Sequence, residues 1–432
     1  MTANETIADE LRCHIKTIVT TFWEDPDWEG LEVVLGFLGA YRLNEKIPFW
    51  LHIVGGPSSG KTEVGLSVIE KSAADHYQLD TLTPQTFLSG YTGGSGKENS
   101  YLHRIGQTGL IYMGDFTTIM DQPEAIVKAI AGQLRRMFDG SFQKETGVSN
   151  DASNWAGRLS IITAMTPEAF RLWTSFNAMG ERFLALQWRP APKSDAFEQR
   201  ILDQAQRYAD DKDIVSPRDM ISNLTRWLLE GKDGNAEWPD LIPPSSTVFN
   251  LNNLYEQPKP RIPARELVAQ KNNSLFKMAD VVALLRTMPK KRYGGVIGIV
   301  DNKESSGRIQ HQFLKLLRGY AYLLRREVQA DDMRLIRRLA LDSIPTNRTA
   351  ILAAMLTAPK AYHQLAFIQE AVGYIQIEPL ERDILELYAL GVISPRQSTL
   401  TGADSEFKLS DEFLKLFIDA FGIKHKEHNG RD

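Results

Sequence analysis

The segment IVGGPSSGKTEV, residues 53–64, constrains the fold more than any other stretch of this chain. It matches the pattern G-x-x-x-x-G-K-[ST] through Gly55, Gly60, Lys61 and Thr62, and it lies after an apolar stretch and before a helical one. In such a loop backbone N–H groups turn inward around phosphates, the lysine reaches the β- and γ-oxygens, and the threonine hydroxyl binds magnesium. We therefore expect a nucleoside triphosphate, ATP, with Mg²⁺. The predicted nucleotide-binding residues are Gly55, Gly56, Pro57, Ser58, Ser59, Gly60, Lys61, Thr62 and Glu63.

Short apolar stretches alternate with helical ones around this loop. They read FWLHIVG, LIYMGD, LSIITAM and RFLALQW. Strands separated by helices are typical of a parallel sheet, so the predicted fold class is α/β, with a P-loop domain built on that sheet.

Length and composition set broad limits. A chain of 432 residues can form about two to four compact units. Its net charge of -4 excludes a globally basic nucleic-acid-binding protein but leaves room for a local basic surface. The single cysteine, Cys13, cannot form an internal disulfide, so we expect a reducing, cytoplasmic compartment. No apolar run has the length of a membrane span, so we expect no membrane partner.

Changes of pattern along the chain predict four parts. Residues 1–48 form a helical lead-in, 49–190 the P-loop core, 191–345 a helical lid with an insertion, and 346–432 a winged-helix domain. The lid includes an apolar stripe of helical period between Ile309 and Leu324. The last part is predicted from three short helices followed by two strands, with turn residues at Gly391, Pro395 and Gly402.

Asp115 is the acidic candidate of the phosphate site. It ends the apolar stretch LIYMGD, where a P-loop needs an acid to hold magnesium. The usual pattern has two acids, one for the metal and one that orients the attacking water, whereas Gly114 precedes Asp115 and Phe116 follows it. Asp115 is therefore either the metal-binding acid beside Thr62 or the water-orienting acid of a strand that lacks its metal-binding acid.

Three further polar residues stand at the ends of elements. Thr166 follows the stretch LSIITAM, where it could contact the γ-phosphate or its water. Arg182 precedes RFLALQW, and Arg308 opens a later helical stretch. Taken singly, such arginines are more often solvated surface charges.

The order of these features resembles that of the AAA+ ATPases. It is most similar to the minichromosome maintenance (MCM) clade and to MCM-like ATPases of bacteria and mobile elements. The resemblance implies that Thr166 takes the place of the sensor-1 asparagine and that Arg182 is an arginine finger acting on the neighbouring subunit. It also implies that Arg308 is the sensor-2 arginine, opening a lid helix that continues through RREVQADDMRLI. The catalytic residues implied are Lys61, Asp115, Thr166, Arg182 and Arg308.

The same resemblance implies an assembly and a DNA-binding surface. An arginine that acts in trans requires a homo-oligomer, in this family a hexameric ring. A pore hairpin is expected just before the sensor-1 strand, and the stretch GSFQKETGVSNDASNWAGRLSII supplies one with Lys144. A second loop, LSGYTGGSGKENSY, carries Lys97. Both lysines would face a channel that follows DNA phosphates without reading sequence.

Two functions stay open at this point. The first is a ring-forming ATPase that couples ATP hydrolysis to DNA translocation, unwinding or remodelling in the replication of a phage or mobile element. The second is a nucleotide switch that acts on a protein partner through the winged helix. The incomplete acid pattern around Asp115 favours the second. So does the third helix of the last part, PLERDILELYALG, in which Glu381, Asp383 and Glu386 are expected to repel phosphate.

Overall fold

The structure is a computed structural model, and its described residues form two compact units. The described residues are 13, 16, 27–43, 47–67, 76–88, 100–144, 153–176, 182–189, 274–289, 304–324, 326–397 and 400–422. The first unit takes those up to Phe176, those from Arg182 to Arg189 and those from Leu314 to Leu335. The second takes those from Ser274 to Phe313 and from Ile336 to Gly422. The boundaries predicted after residues 48, 190 and 345 stay predictions.

Helices and strands alternate in the first unit. In chain order they are α1 (Trp28–Arg42), β1 (Trp50–Val54), α2 (Lys61–Ser67), β2 (His76–Leu79), α3 (Tyr101–Ile105), β3 (Thr108–Met113), α4 (Thr117–Met120), α5 (Glu124–Phe138), β4 (Ser141–Lys144), β5 (Ser153–Ala156), β6 (Arg158–Met165), α6 (Pro167–Phe176) and β7 (Leu184–Gln187). The four strands predicted from apolar stretches are confirmed as β1, β3, β6 and β7. β2 was not predicted, because its residues HYQL are partly exposed and form no continuous apolar run.

The later described elements are mostly helical. They are α7 (Ser274–Arg286), α8 (Gly307–Leu323), a 3-10 turn (Ala330–Asp332), α9 (Met333–Asp342), α10 (Thr346–Leu356), β8 (His363–Gln364), α11 (Leu365–Val372), α12 (Ile377–Ala389), β9 (Ile393–Pro395), β10 (Glu406–Leu409) and α13 (Asp411–Phe421). The predicted three helices and two strands are present as α10, α11, α12, β9 and β10, while β8 and α13 are additions. β8, β10 and β9 form an antiparallel sheet in that order. None of the helices in the described ranges is both long and apolar enough to cross a membrane.

Five strands of the first unit form a parallel sheet in the order β2-β3-β6-β1-β7. The fold is therefore α/β. All five residues of β1 are buried, as expected for an inner strand of a sheet covered on both faces. The chain leaves β1 for strands on one side of it and returns through β7 on the other side. The carboxyl end of β1 is thus a topological switch point, the place where open α/β sheets bind ligands.

Helices α1 and α8 cross at glycines in the first unit. A Cβ atom at Gly39 would lie 2.0 Å from the carbonyl oxygen of Gly319, and one at Gly319 would lie 2.2 Å from that of Gly36. The two backbones therefore touch, which only glycine permits. Beside the crossing, the Tyr320 hydroxyl of α8 donates a hydrogen bond to the Glu32 carboxylate of α1.

The prediction that the lid helix continues through RREVQADDMRLI is wrong. α8 ends at Leu323, and α9 begins only at Met333. Asp332 explains the break, because its carboxylate accepts the N–H of Gln329 at 2.8 Å and thereby starts a new helix. The same carboxylate holds the buried guanidinium of Arg326 through two bonds of 2.6 and 2.7 Å.

Candidate nucleotide-binding site

The P-loop starts where β1 ends, at the carboxyl edge of the parallel sheet. The N–H of Gly55 donates to the carbonyl of Met165 at 3.1 Å, which joins the loop to the end of β6. A Cβ atom at Gly55 would lie 2.9 Å from the Ser59 hydroxyl oxygen, so the loop closes tightly because this residue has no side chain. Gly60 has a φ of 83°, a left-handed conformation that favours glycine. The exposed residues of the loop are Gly56, Pro57 and Ser58.

Lys61 is the first residue of α2 and stands close to Asp115. Its ammonium donates to the carbonyl of Gly56 at 2.9 Å, across the loop. Burial lowers the pKa of Lys61, and the negative charge of Asp115 acts on it in the opposite direction. The two residues follow different strands, β1 and β3, with β6 between them. The sheet therefore brings the predicted lysine and the predicted acid to one edge.

The oxygen atoms of Thr62 and Asp115 suit magnesium. Both residues are exposed, Thr62 in the first turn of α2 and Asp115 just beyond β3, and Glu63 is half-exposed beside Thr62. No group of three or more His, Cys, Asp or Glu residues that could hold a metal alone occurs within the described ranges. Magnesium is usually bound through one or two protein oxygens plus substrate phosphates. The residues present therefore fit an ion that is bound together with a nucleotide.

The two neighbours of Asp115 have different surroundings. Phe116 is buried, with its ring centroid 4.9 Å from that of Trp173, so an acid at this position would be buried in the core. Gly114 has space, because the nearest atom to a Cβ there would be a Tyr112 ring carbon at 3.4 Å. Of the two positions, only 114 could accept a second acid in this fold. The Asp115 carboxylate itself is oriented by the N–H of Thr117, at 3.0 Å.

Thr166 lies at the same edge, directly after β6. Its hydroxyl oxygen accepts the N–H of Ala169 at 3.2 Å, at the start of α6. Its own N–H donates to the hydroxyl of Thr117 at 3.4 Å. A hydroxyl that accepts one hydrogen bond can still donate its proton. Thr166 thus adds a hydroxyl donor to the edge of the sheet that carries the Lys61 ammonium and the Asp115 carboxylate.

Arg182 lies at the opposite edge of the sheet. It precedes β7, which runs parallel to β1, and the four residues of β7 alone span about 13 Å. The guanidinium pairs with the Asp139 carboxylate at 3.3 Å and lies over the ring of Phe138, at 5.7 Å from its centroid. Arg182 is therefore directed away from the P-loop of its own chain.

The predicted hairpin is formed by β4 and β5 near Arg182. Phe142 faces Trp155 across the antiparallel pair, and the Trp155 indole donates to the Gly106 carbonyl at 2.7 Å. Lys144 is the last residue of β4, opposite Ser153. Because β5 leads into the start of β6, the hairpin leaves the sheet at its amino-terminal edge.

For Lys97 and Arg308, the predicted position stays a prediction. Lys97 lies outside the described residues. Arg308 is a partly exposed residue of the first turn of α8, in the second unit. Its role beside the nucleotide stays a prediction.

The sequence predicted that the acidic residues of α12 are exposed and repel phosphate. In the structure they are not all exposed. Asp383 is buried and accepts a hydrogen bond of 2.5 Å from the Tyr374 hydroxyl. Glu386 is buried and pairs with the Arg348 guanidinium at 2.7 Å. Glu381 accepts the N–H of Gly402 at 2.7 Å. The expectation that all three repel phosphate was wrong for the two buried ones, because their charges serve contacts within the second unit.

Trp188 and Asp27 complete the surroundings of the loop, although neither belongs to a sequence motif. The Trp188 indole donates to the Ser59 carbonyl at 2.8 Å. Asp27 accepts the N–H of Arg189 at 2.9 Å and so joins the start of α1 to the end of β7. The available signal was the position of Trp188 directly after a strand that ends at the same edge as β1.

The arrangement can bind phosphates, position magnesium and offer one acid and one hydroxyl beside them. Comparison of the sequence with models of known protein families and with curated proteins gave no match to either.

Proposed function

We propose that this protein binds ATP with magnesium at the P-loop and hydrolyses it, as an ATPase of the AAA+ type. The observation that carries the proposal is the meeting of Lys61, Asp115 and Thr166 at the switch point of a parallel sheet, beside a loop with free space above Gly56. A P-loop at a switch point supports the proposal because its backbone N–H groups form a binding place for phosphates.

Each residue has a distinct task in this proposal. The N–H groups of the loop hold the phosphates, and Lys61 moves from the Gly56 carbonyl to a phosphate oxygen. Thr62 and Asp115 would hold magnesium, which would neutralise phosphate charge. Thr166 donates a hydrogen bond through its hydroxyl to the γ-phosphate or to the attacking water. If Asp115 has the second place of the usual acid pair, it orients that water.

The site is completed by a second copy of the chain in this proposal. Arg182 is at the edge opposite its own P-loop, so it can stabilise the transferred phosphoryl group only in a neighbouring subunit. In a ring of identical subunits, which is a hexamer in the AAA+ family, every P-loop receives Arg182 from its neighbour.

Mixing two inactive variants tests the ring. Arg182→Ala and Lys61→Ala should each abolish turnover, and mixed assemblies should regain part of it, because an intact P-loop then meets an intact arginine. Full activity of a monomer at high dilution would contradict the shared site.

DNA translocation or remodelling is the use of hydrolysis that we propose. The β4–β5 hairpin with Lys144 leaves the sheet at the edge that carries Arg182, so hydrolysis at a subunit interface could move it. We also propose that α10, α11, α12, β9 and β10 form a winged-helix domain, that Arg308 acts as a lid arginine, and that Lys97 contacts DNA.

A nucleotide switch acting on a protein partner is the second candidate. Gly114 supports it, because one acid of the usual pair is replaced by a residue without a side chain. The burial of Asp383 and Glu386 removes part of its other support.

ATP turnover with and without single- and double-stranded DNA separates the two candidates. The control is Lys61→Ala, which removes the phosphate contact. DNA should stimulate the turnover of a motor several-fold. Turnover that DNA leaves unchanged would refute the motor, and turnover equal to that of Lys61→Ala would refute hydrolysis at the P-loop.

A further inference from the structure

We propose that Trp188 is a positioning residue of the P-loop, whose indole N–H fixes the Ser59–Gly60 peptide so that the Gly60 N–H is presented to a nucleotide phosphate. The inference rests on the proposed function, since it concerns the same loop. It assigns to Trp188 a task beyond core packing.

The geometry of one peptide bond carries the inference. The Trp188 indole nitrogen donates to the Ser59 carbonyl oxygen at 2.8 Å. A trans peptide is planar, so the carbonyl of Ser59 and the N–H of Gly60 point in opposite directions. Holding the oxygen against Trp188 therefore directs the Gly60 N–H away from the ring. N–H groups of this loop are the ones that cradle phosphates.

The ring of Trp188 is itself held tightly. It is 6% exposed, and its backbone N–H donates to the Val54 carbonyl at 2.7 Å. A Cβ atom at Gly55 would lie 3.3 Å from the Trp188 Cβ, and one at Gly30 would lie 3.0 Å from its Cζ3. Trp188 thus lies buried between the P-loop and the first turn of α1.

Asp27 holds the strand end next to Trp188. One carboxylate oxygen accepts the N–H of Gly30 at 3.0 Å, which caps α1, and the other accepts the N–H of Arg189 at 2.9 Å. Asp27 is 7% exposed, so water competes little for these bonds. Asp27 therefore anchors the strand end from which the Trp188 indole N–H reaches the Ser59 carbonyl.

Trp173 offers a matched control. It is a buried tryptophan of the first unit, and its indole nitrogen has no hydrogen-bond partner among the described residues. Changing it to phenylalanine removes the same atoms from the core, where the ring packs against Phe116 and not against Ser59.

The test compares nucleotide affinity in Trp188→Phe, Trp173→Phe and Lys61→Ala by titration calorimetry with ATP and ADP. We expect Trp188→Phe to weaken both nucleotides by about three- to tenfold, the effect of one lost hydrogen bond. Trp173→Phe should leave both affinities unchanged within about twofold. Equal affinities of the wild-type and Trp188→Phe proteins would overturn the inference.

A second replacement separates the N–H from the shape of the ring. Benzothienylalanine at position 188 keeps the ring size and puts sulfur in place of the N–H. We expect the affinity loss of Trp188→Phe, with a melting temperature lowered by at most about 4 °C, the effect of one lost hydrogen bond on stability. Binding as tight as that of the wild type would show that only the shape matters and would overturn the inference. The proposed function fails separately, if the wild-type protein binds neither nucleotide or if Lys61→Ala binds as well as the wild type.

Discussion

Replacing Gly319 by alanine should force α1 and α8 apart and destabilise the first unit. The new Cβ would lie 2.2 Å from the Gly36 carbonyl oxygen, 2.3 Å from the Ala40 nitrogen and 2.8 Å from the Ala40 Cα. All three are backbone atoms, so no rotation of a side chain can relieve the overlap. Ordinary contact begins at 3.4 Å, so the helices must separate by about 1 Å.

Two effects of opposite sign set the change in the free energy of unfolding caused by Gly319→Ala. Alanine is favoured over glycine in a helix interior by about 1 kcal/mol. Overpacking of a close contact costs about 1–3 kcal/mol, and an overlap with backbone belongs at the upper end. The net loss in the free energy of unfolding should be about 2 kcal/mol. For the first unit, about 280 residues long, this lowers the melting temperature by about 3–4 °C.

Gly132→Ala is the matched control for this change. Gly132 is inside α5, and the nearest atom to a Cβ there would be a nitrogen of the Arg135 side chain at 3.7 Å. Because no overlap opposes the higher helix propensity of alanine at this position, Gly132→Ala should be about 0.5–1 kcal/mol more stable than the wild type. Urea unfolding followed by far-UV circular dichroism measures both. If Gly319→Ala proves as stable as Gly132→Ala, the close crossing of α1 and α8 is refuted.

Three further changes test the site and the second unit. Gly114→Asp should restore the two-acid pattern next to Asp115. We expect higher turnover and a lower magnesium concentration for half-maximal turnover. An unchanged magnesium dependence would assign metal binding to Asp115 alone. Arg348→Met leaves the buried carboxylate of Glu386 unpaired and should cost about 3–5 kcal/mol in urea unfolding. Adding Glu386→Met should recover only part of this loss, because Arg348 also donates to the carbonyls of Leu285 and Thr287 at 2.6 and 2.8 Å; a loss below about 1 kcal/mol for Arg348→Met would show that the pair is not buried. Lys144→Glu should weaken DNA binding and reduce its salt dependence. Unchanged affinity at low salt would show that the hairpin is not part of the DNA-binding surface.

Most of the central sheet was predictable from local pattern. β1, β3 and β6 are nearly continuous apolar stretches because both faces of the sheet are covered, and such stretches are visible in a sequence. β2 was missed because an edge strand with partly exposed residues lacks that signal. The break after α8 was missed because Asp332 acts through its bonds to Arg326 and Gln329, and the letters RREVQADDMRLI carry no proline or glycine.

Helix α12 shows that the number of acidic residues in a helix does not reveal which of them are exposed. Asp383 and Glu386 count as negative charges in the sequence, and their spacing does not reveal whether they face water. Their partners, Tyr374 and Arg348, come from a preceding turn and a preceding helix. Only packing decides whether a carboxylate repels a ligand or is neutralised inside the fold.

The sequence by itself determined the P-loop from Gly55 to Thr62, because glycine spacing, lysine and threonine act within one local turn. It also named Asp115 and Thr166, since each ends an apolar stretch. The tertiary structure decided that these residues meet, that Arg182 lies at the other edge, and that Trp188 holds Ser59 from 129 positions away along the chain. A local pattern follows from neighbouring residues, whereas a contact between distant residues exists only once strand order and register place their ends together.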